Sequence, residues 1–67
     1  MEALIKKYPS AYAVYDLGKY YGIATMDESF YIADKRTLKP VEVRLRYESE
    51  VLELINRAIP VWFAQDE

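Results

Sequence analysis

A change of hydrophobic period along residues 41–59 constrains the fold of this chain more than any other feature. Over residues 41–48, charged side chains separate four apolar or aromatic ones: Val41, Val43, Leu45 and Tyr47. This period of two predicts a β-strand with one polar face toward solvent. The residues that follow have a helical period instead, so they predict the helix that covers the apolar face of the strand.

This C-terminal helix has recognisable ends. Ser49 is a good N-cap residue, and Pro60 is expected to close the helix near Ala58. At 100° per residue, its apolar side chains fall on one side: Val51, Leu52, Leu54, Ile55, Ala58 and Ile59. We therefore expect an amphipathic helix packed along one face of a sheet.

The first half of the chain predicts a short helix followed by strands. Residues 2–8 have a helical pattern that Pro9 ends, and residues 11–16, 19–26 and 30–33 are rich in strand-forming residues. Asp16 before a Gly-containing turn indicates a hairpin, and Gly22 suggests either a bulge or a close backbone approach. The order α-β-β-β-β-α predicts one two-layer α+β domain over residues 1–67, with a mainly antiparallel four-stranded sheet whose strand order is open.

The segment Val61–Phe63 places three large apolar residues just before the charged residues Asp66 and Glu67. Three arrangements of this segment are compatible with its sequence. It can fold back over the edge of the core, add a short strand, or contact a second chain.

The chain lacks the residue types on which most catalytic and metal sites depend. It contains no Cys and no His, which excludes disulfides, thiolate or imidazole ligation, Cys nucleophiles and imidazole-based triads. Its two glycines cannot form the usual phosphate-binding loops, and no stretch has calcium-loop spacing. The adjacent acids Asp27 and Glu28 are expected to be solvated. We therefore expect a non-enzymatic protein without cofactor or metal.

Charge is unevenly distributed around a formal net charge of −2. Residues 35–46 carry five basic residues and one acid, whereas residues 47–67 are mostly acidic. Such segments can pair within one molecule or head-to-tail between two. No signal-peptide pattern and no apolar run long enough to span a bilayer are present, so we expect a cytoplasmic protein without membrane contact.

The aromatic residues suggest a recognition surface, because seven tyrosines are many for so small a core. Tyr, Trp and Arg dominate protein interfaces, and the candidate partner-binding residues are Trp62, Phe63, Tyr31, Arg44 and Arg46. The predicted partner is a protein, either a second copy in a homodimer or another chain. The structural alternative places the aromatics in sheet packing and Trp62 at the edge of the core. It pairs the two arginines with acids on neighbouring strands or with Glu42 and Glu48.

A second functional class is single-stranded nucleic-acid binding, through tyrosines and the arginines of the fourth strand on the outer sheet face. The chain has no RNP-type motif, and a pI near 5.1 opposes attraction to phosphate. The strand, Asp-Lys-Arg-Thr turn and strand over Phe30–Val43 resemble hairpins of many small bacterial and phage-type proteins. That pattern is too general to indicate a function, but the short length, the high aromatic content and the missing catalytic set resemble accessory, inhibitor or regulatory proteins of that kind.

Overall fold

A computed structural model describes residues 1–64 and contains two helices and one antiparallel sheet. The elements are α1 (Glu2–Lys7), β1 (Ala11–Asp16), β2 (Tyr20–Thr25), β3 (Ser29–Asp34), β4 (Pro40–Leu45), α2 (Ser49–Arg57) and β5 (Ile59–Phe63). The strand order is β4-β3-β2-β1-β5, and all neighbours are antiparallel. β1 to β4 therefore form a meander, and α2 carries the chain across the sheet so that β5 lies beside β1.

The two helices cover opposite faces of the sheet. Leu4 and Tyr8 of the α1 region pack in one cluster with Val14, whereas Val51 of α2 packs in another with Ala13. Ala13 and Val14 are neighbours in β1, and successive strand residues point to opposite faces. The α+β class is confirmed, but the prediction of two layers is wrong, because α1 covers the face that the sequence predicted to be open to solvent.

Glycine has different roles at the two positions where the sequence contains it. Gly18 adopts φ +92° in the β1–β2 turn, and its N–H donates to Asp16 Oδ1 at 2.8 Å. A Cβ atom at Gly22 would lie 2.4 Å from Cζ of Phe30, so the ring of β3 packs directly on this backbone. Of the two alternatives for Gly22, the close approach is the one observed, and the irregularity in β1–β2 pairing lies between Ala11 and Ala13.

β4 turns its polar side, not its apolar side, toward α2. Arg44 pairs with Phe30, which packs with α2, whereas Val43 pairs with Tyr31 on the α1 face. The predicted orientation of this strand is therefore wrong. The alternation predicted the strand itself, but its polar side faces α2, where the guanidinium of Arg44 binds Glu48 and Glu50.

α2 also differs from its prediction at both ends. Glu48, rather than Ser49, occupies the N-cap position, and its carboxylate accepts hydrogen bonds from Arg44 instead of capping the helix. On the side of α2 that was predicted to be apolar, Val51 is buried and Leu54, Ile55 and Ala58 are half-buried. Leu52 and Ile59, predicted to lie on the same side, are exposed. Ile59 already belongs to β5, because Ala58 has an extended backbone that ends the helix.

The C-terminal segment adds the fifth strand of the sheet. Val14 pairs with Trp62 and Ala13 with Phe63, so two of the three alternatives for this segment occur together: it forms a strand, and Trp62 packs at the edge of the core. The sheet thus has one strand more than the predicted four. The charged residues Asp66 and Glu67 lie outside the described residues.

Candidate protein-interaction site

The residues predicted to bind a partner do not lie on one surface. Trp62 is half-buried in the cluster formed with α1, whereas Phe63 faces the α2 side and is 55% exposed. The ring of Phe63 meets that of Tyr15 edge to face, with centroids 6.3 Å apart. Both aromatic residues of β5 therefore have contacts within the chain, although Phe63 keeps more than half of its surface free.

Tyr31 lies on the α1 face of β3 and is half-buried. Its ring packs against Tyr8, with centroids 5.2 Å apart, and its backbone position is directly opposite Val43 in β4. Burial raises the pKa of the Tyr8 hydroxyl, with a smaller contribution from Tyr31, and this hydroxyl donates to the carbonyl of Leu38 at 2.8 Å. Tyr31 therefore joins the packed part of this face to the strand at its edge.

Arg44 is held by three carboxylates on the α2 side of β4. Its Nε donates to Glu48 at 2.9 Å, Nη1 to Glu42 at 3.1 Å, and Nη2 to Glu50 at 2.6 Å. These bonds, first from Glu50 and then from Glu48, raise the pKa of Arg44 above its usual range, and Arg44 lowers the pKa of Glu48. The predicted pairing with Glu42 and Glu48 is confirmed for Arg44 but not for Arg46, and the basic and acidic segments meet here within one molecule.

Arg46 binds aromatic residues rather than carboxylates. Its Nη1 donates to the Tyr12 hydroxyl at 2.6 Å, and its guanidinium carbon lies 5.1 Å from the Tyr12 ring and 5.3 Å from that of Tyr47. These distances are typical of cation–π contacts. The bond to Tyr12 is the main cause that raises the pKa of Arg46. Sequence reasoning missed this contact because its partners are 34 positions apart in the chain.

An exposed apolar row runs along the other side of β4. The exposed fractions of Val41, Val43 and Leu45 are 59%, 55% and 58%. Strand alternation places Val43 and Leu45 on the α1 face, and Val41 lies beside them at the bulge opposite Ile32 and Ala33. α1 has six residues, so it is only about 9 Å long and packs over the centre of the sheet. The edge strand on this face is left without a helix above it.

The backbone of β4 is also open on its outer side. Arg46 N–H donates to the Glu28 carbonyl at 3.1 Å, and hydrogen-bonded pairs alternate with non-hydrogen-bonded ones along an antiparallel ladder. Phe30–Arg44 is therefore a bonded pair and Tyr31–Val43 is not. The N–H and C=O groups of Val43 point away from β3, toward the free edge.

Two other surface features lie at the β1–β2 turn and beside α1. At the β1–β2 turn, Lys35 binds Asp16 at 2.8 Å, which is the main cause that lowers the pKa of Asp16. Beside α1, Ile5, Pro9 and Trp62 line an open groove whose other walls carry charged residues. Neither feature combines an apolar surface with unpaired backbone as β4 does. The opposite edge strand, β5, also exposes apolar side chains, since Ile59, Val61 and Phe63 are 69%, 41% and 55% exposed, but the ring of Phe63 packs against Tyr15.

Comparison with protein-family models, curated proteins and solved structures finds no match for this chain. Among residues 1–64, neither helix has the length and apolar character that crossing a membrane requires. The same part of the chain has no cluster of acidic residues arranged to hold a metal ion. The candidate site is therefore defined by geometry alone: the outer edge of β4 and its apolar row.

Proposed function

We propose that this protein is a non-enzymatic protein-binding module that self-associates as a homodimer, with the free edge of β4 as its contact surface. Such a module would act as a small accessory, inhibitor or regulatory protein, through contacts rather than through chemistry.

The proposal is supported by two features that occur together on β4: an exposed apolar row and a backbone edge without a neighbouring strand. Val41, Val43 and Leu45 expose more than half of their surface in one row, and the strand that carries them is the outermost of the sheet. Edge strands of monomeric proteins normally carry charges, bulges or covering elements that prevent pairing with another chain. β4 has a bulge opposite Ile32 and Ala33 and charges on its α2 side, but its α1 side carries neither charge nor cover. A contiguous apolar row at an open edge is typical of an interaction surface.

One of the five predicted partner-binding residues borders the proposed surface. Tyr31 lies beside Val43 on the α1 face, so it forms the inner border of the row. Trp62 and Phe63 lie at the opposite edge of the sheet, where Trp62 packs in the α1-side cluster and Phe63 contacts Tyr15 but stays 55% exposed. Arg44 belongs to the same strand but faces the other side.

Nucleic-acid binding receives no support from the positions of the two arginines. A platform for single-stranded bases needs exposed aromatic rings beside cations that are free to meet phosphate. Arg44 is surrounded by Glu42, Glu48 and Glu50, and Arg46 is bound to Tyr12. The net charge of −2 also opposes association with a polyanion.

The proposal is tested by the mass of the protein in solution. Sedimentation equilibrium over a range of concentrations is expected to show a species of twice the 7.9 kDa chain mass. Val43→Lys should convert this species to monomer, since it places a charge in the centre of the apolar row. Leu52→Lys is the matched control, because Leu52 is 51% exposed and belongs to α2, which packs on the opposite face of the sheet from the apolar row. A wild-type protein that stays monomeric at high micromolar concentration contradicts the proposal.

A further inference from the structure

We infer that β4 pairs with β4 of a second copy in an antiparallel ladder whose twofold axis passes beside Val43, which joins the two five-stranded sheets into one. This inference rests on the proposed self-association and specifies its register. Val43 then lies opposite Val43 of the second copy, Glu42 opposite Arg44, and Val41 opposite Leu45.

The direction of the backbone groups limits the possible registers. Only residues whose N–H and C=O groups point outward can bond across a new ladder, and in the regular part of β4 these are Val43 and Leu45. A shift by one residue would place outward groups opposite inward ones and would move the apolar row to the wrong face. The pairing must therefore match odd-numbered residues of β4 with odd-numbered residues of the second copy.

Charge selects one register from those that remain. A shift by two residues in one direction places Glu42 opposite Glu42 of the second copy, and a shift in the other direction places Arg44 opposite Arg44. The register centred on Val43 instead places Glu42 opposite Arg44 twice, once on each side of the axis. Opposite charges in directly facing positions stabilise an antiparallel pair, whereas like charges destabilise it.

The ladder is short, because the backbone groups of Leu45 are hydrogen-bonded within the turn that follows β4. Leu45 N–H lies 3.4 Å from Glu48 Oε1, and the Leu45 carbonyl accepts from Glu48 N–H at 3.2 Å. The two reciprocal bonds of the Val43 pair are therefore central to the ladder. The apolar rows of the two copies meet on the α1 face on either side of these bonds, so burial of Val41, Val43 and Leu45 supplies most of the association.

Single cysteines introduced into this cysteine-free chain test the register directly. In a bonded antiparallel pair the Cα atoms lie about 5.5 Å apart, within the range that a disulfide spans. Val43→Cys is therefore expected to form a covalent dimer with diamide as oxidant. Val41→Cys alone should not, because the two copies of residue 41 would be about 14 Å apart along the strand. A mixture of Val41→Cys with Leu45→Cys should cross-link as a heterodimer.

Leu52→Cys is the control for random collision, since its exposure is similar to that of Val43. Cross-linking of Val43→Cys at the rate of this control overturns the inference. So does faster cross-linking of Val41→Cys alone, which would indicate another register. If native mass spectrometry shows a dimer that no β4 cysteine cross-links, self-association stands and this interface is wrong. If the protein is monomeric throughout, both proposals fail.

A charge variant tests the same register without new covalent chemistry. Glu42→Lys places a cation opposite Arg44 of the second copy at two positions, so the dimer dissociation constant should rise about tenfold or more at low salt. Glu53→Lys makes the same charge change on the exposed side of α2 and should leave that constant unchanged. Equal effects of the two variants contradict the proposed pairing.

Discussion

The two edge strands of the sheet are attached to the rest of the molecule by different forces. β5 is held by aromatic packing, since Trp62 enters the α1-side cluster and Phe63 meets Tyr15 on the other face. β4 is held by charge on its α2 side, through Arg44, and has no cover on its α1 side. An amphipathic strand therefore does not always bury its apolar side: a network of ion pairs on the polar side can face the helix instead.

This comparison predicts that the two edges respond to different perturbations. Loss of aromatic surface should weaken β5 at any salt concentration. Loss of charge should weaken β4 in a salt- and pH-dependent way. Each experiment below is performed at a protein concentration low enough to keep the chain monomeric.

The largest effect is expected from Trp62→Ala. Removal of a large, partly buried ring should lower the free energy of unfolding by about 3 kcal/mol, which is a large fraction of the stability of a small domain. Val61→Ala, at an exposed position of the same strand, should cost about 0.5 kcal/mol or less. Urea unfolding measures both. Equal losses in the two variants would show that aromatic packing does not hold β5.

Phe63→Ala is expected to have a smaller effect, because this ring is more exposed. Edge-to-face aromatic pairs contribute about 1 kcal/mol beyond their burial. A double-mutant cycle with Tyr15→Leu should return a coupling energy of about that size. A coupling energy near zero would contradict a contribution of this ring pair to the attachment of β5.

Arg44→Met should lower the melting temperature and reverse its salt dependence. In the wild type, salt screens the attraction between Arg44 and its carboxylates, so added NaCl lowers stability. The variant leaves Glu42, Glu48 and Glu50 close together, and salt then stabilises by screening their repulsion. Arg36→Met is the control, since the Arg36 side chain is 89% exposed and 3.8 Å from Asp34. An unchanged salt dependence in Arg44→Met would contradict the role of charge at β4.

The smallest effect is expected on acidification. The pKa of Glu48 is lowered from its ordinary value of 4.5, first by the hydrogen bond from Arg44. Its stabilisation is therefore complete above that value and is lost as pH falls through the lower folded-state pKa. Thermal melts between pH 6 and pH 3 should decline less steeply in Glu48→Gln than in the wild type. Glu53→Gln is the matched control, and the same decline in both variants would contradict the assignment.

Much of the secondary structure was predictable because its signals are local. Ala11–Asp16 was predicted with its observed bounds, and the helix before Pro9 and the alternation in residues 41–48 indicated elements that the structure contains. Gly22 was recognised as a position where something approaches the backbone, although its partner, Phe30, could not be named. The free edge at β4 was not predictable, because periodicity shows that a strand has two sides but not which side a helix covers.

The sequence by itself determined that the chain forms an α+β domain without thiol or imidazole chemistry, because residue types and their period are properties of the chain. The tertiary structure decided the layers, the fifth strand and the open apolar row. These depend on contacts between distant residues, such as Arg46 with Tyr12 and Trp62 with Val14. Arg44 illustrates the difference: its alternating position predicted a strand, but only its contacts with Glu48 and Glu50 in the folded chain show that this side of the strand faces α2.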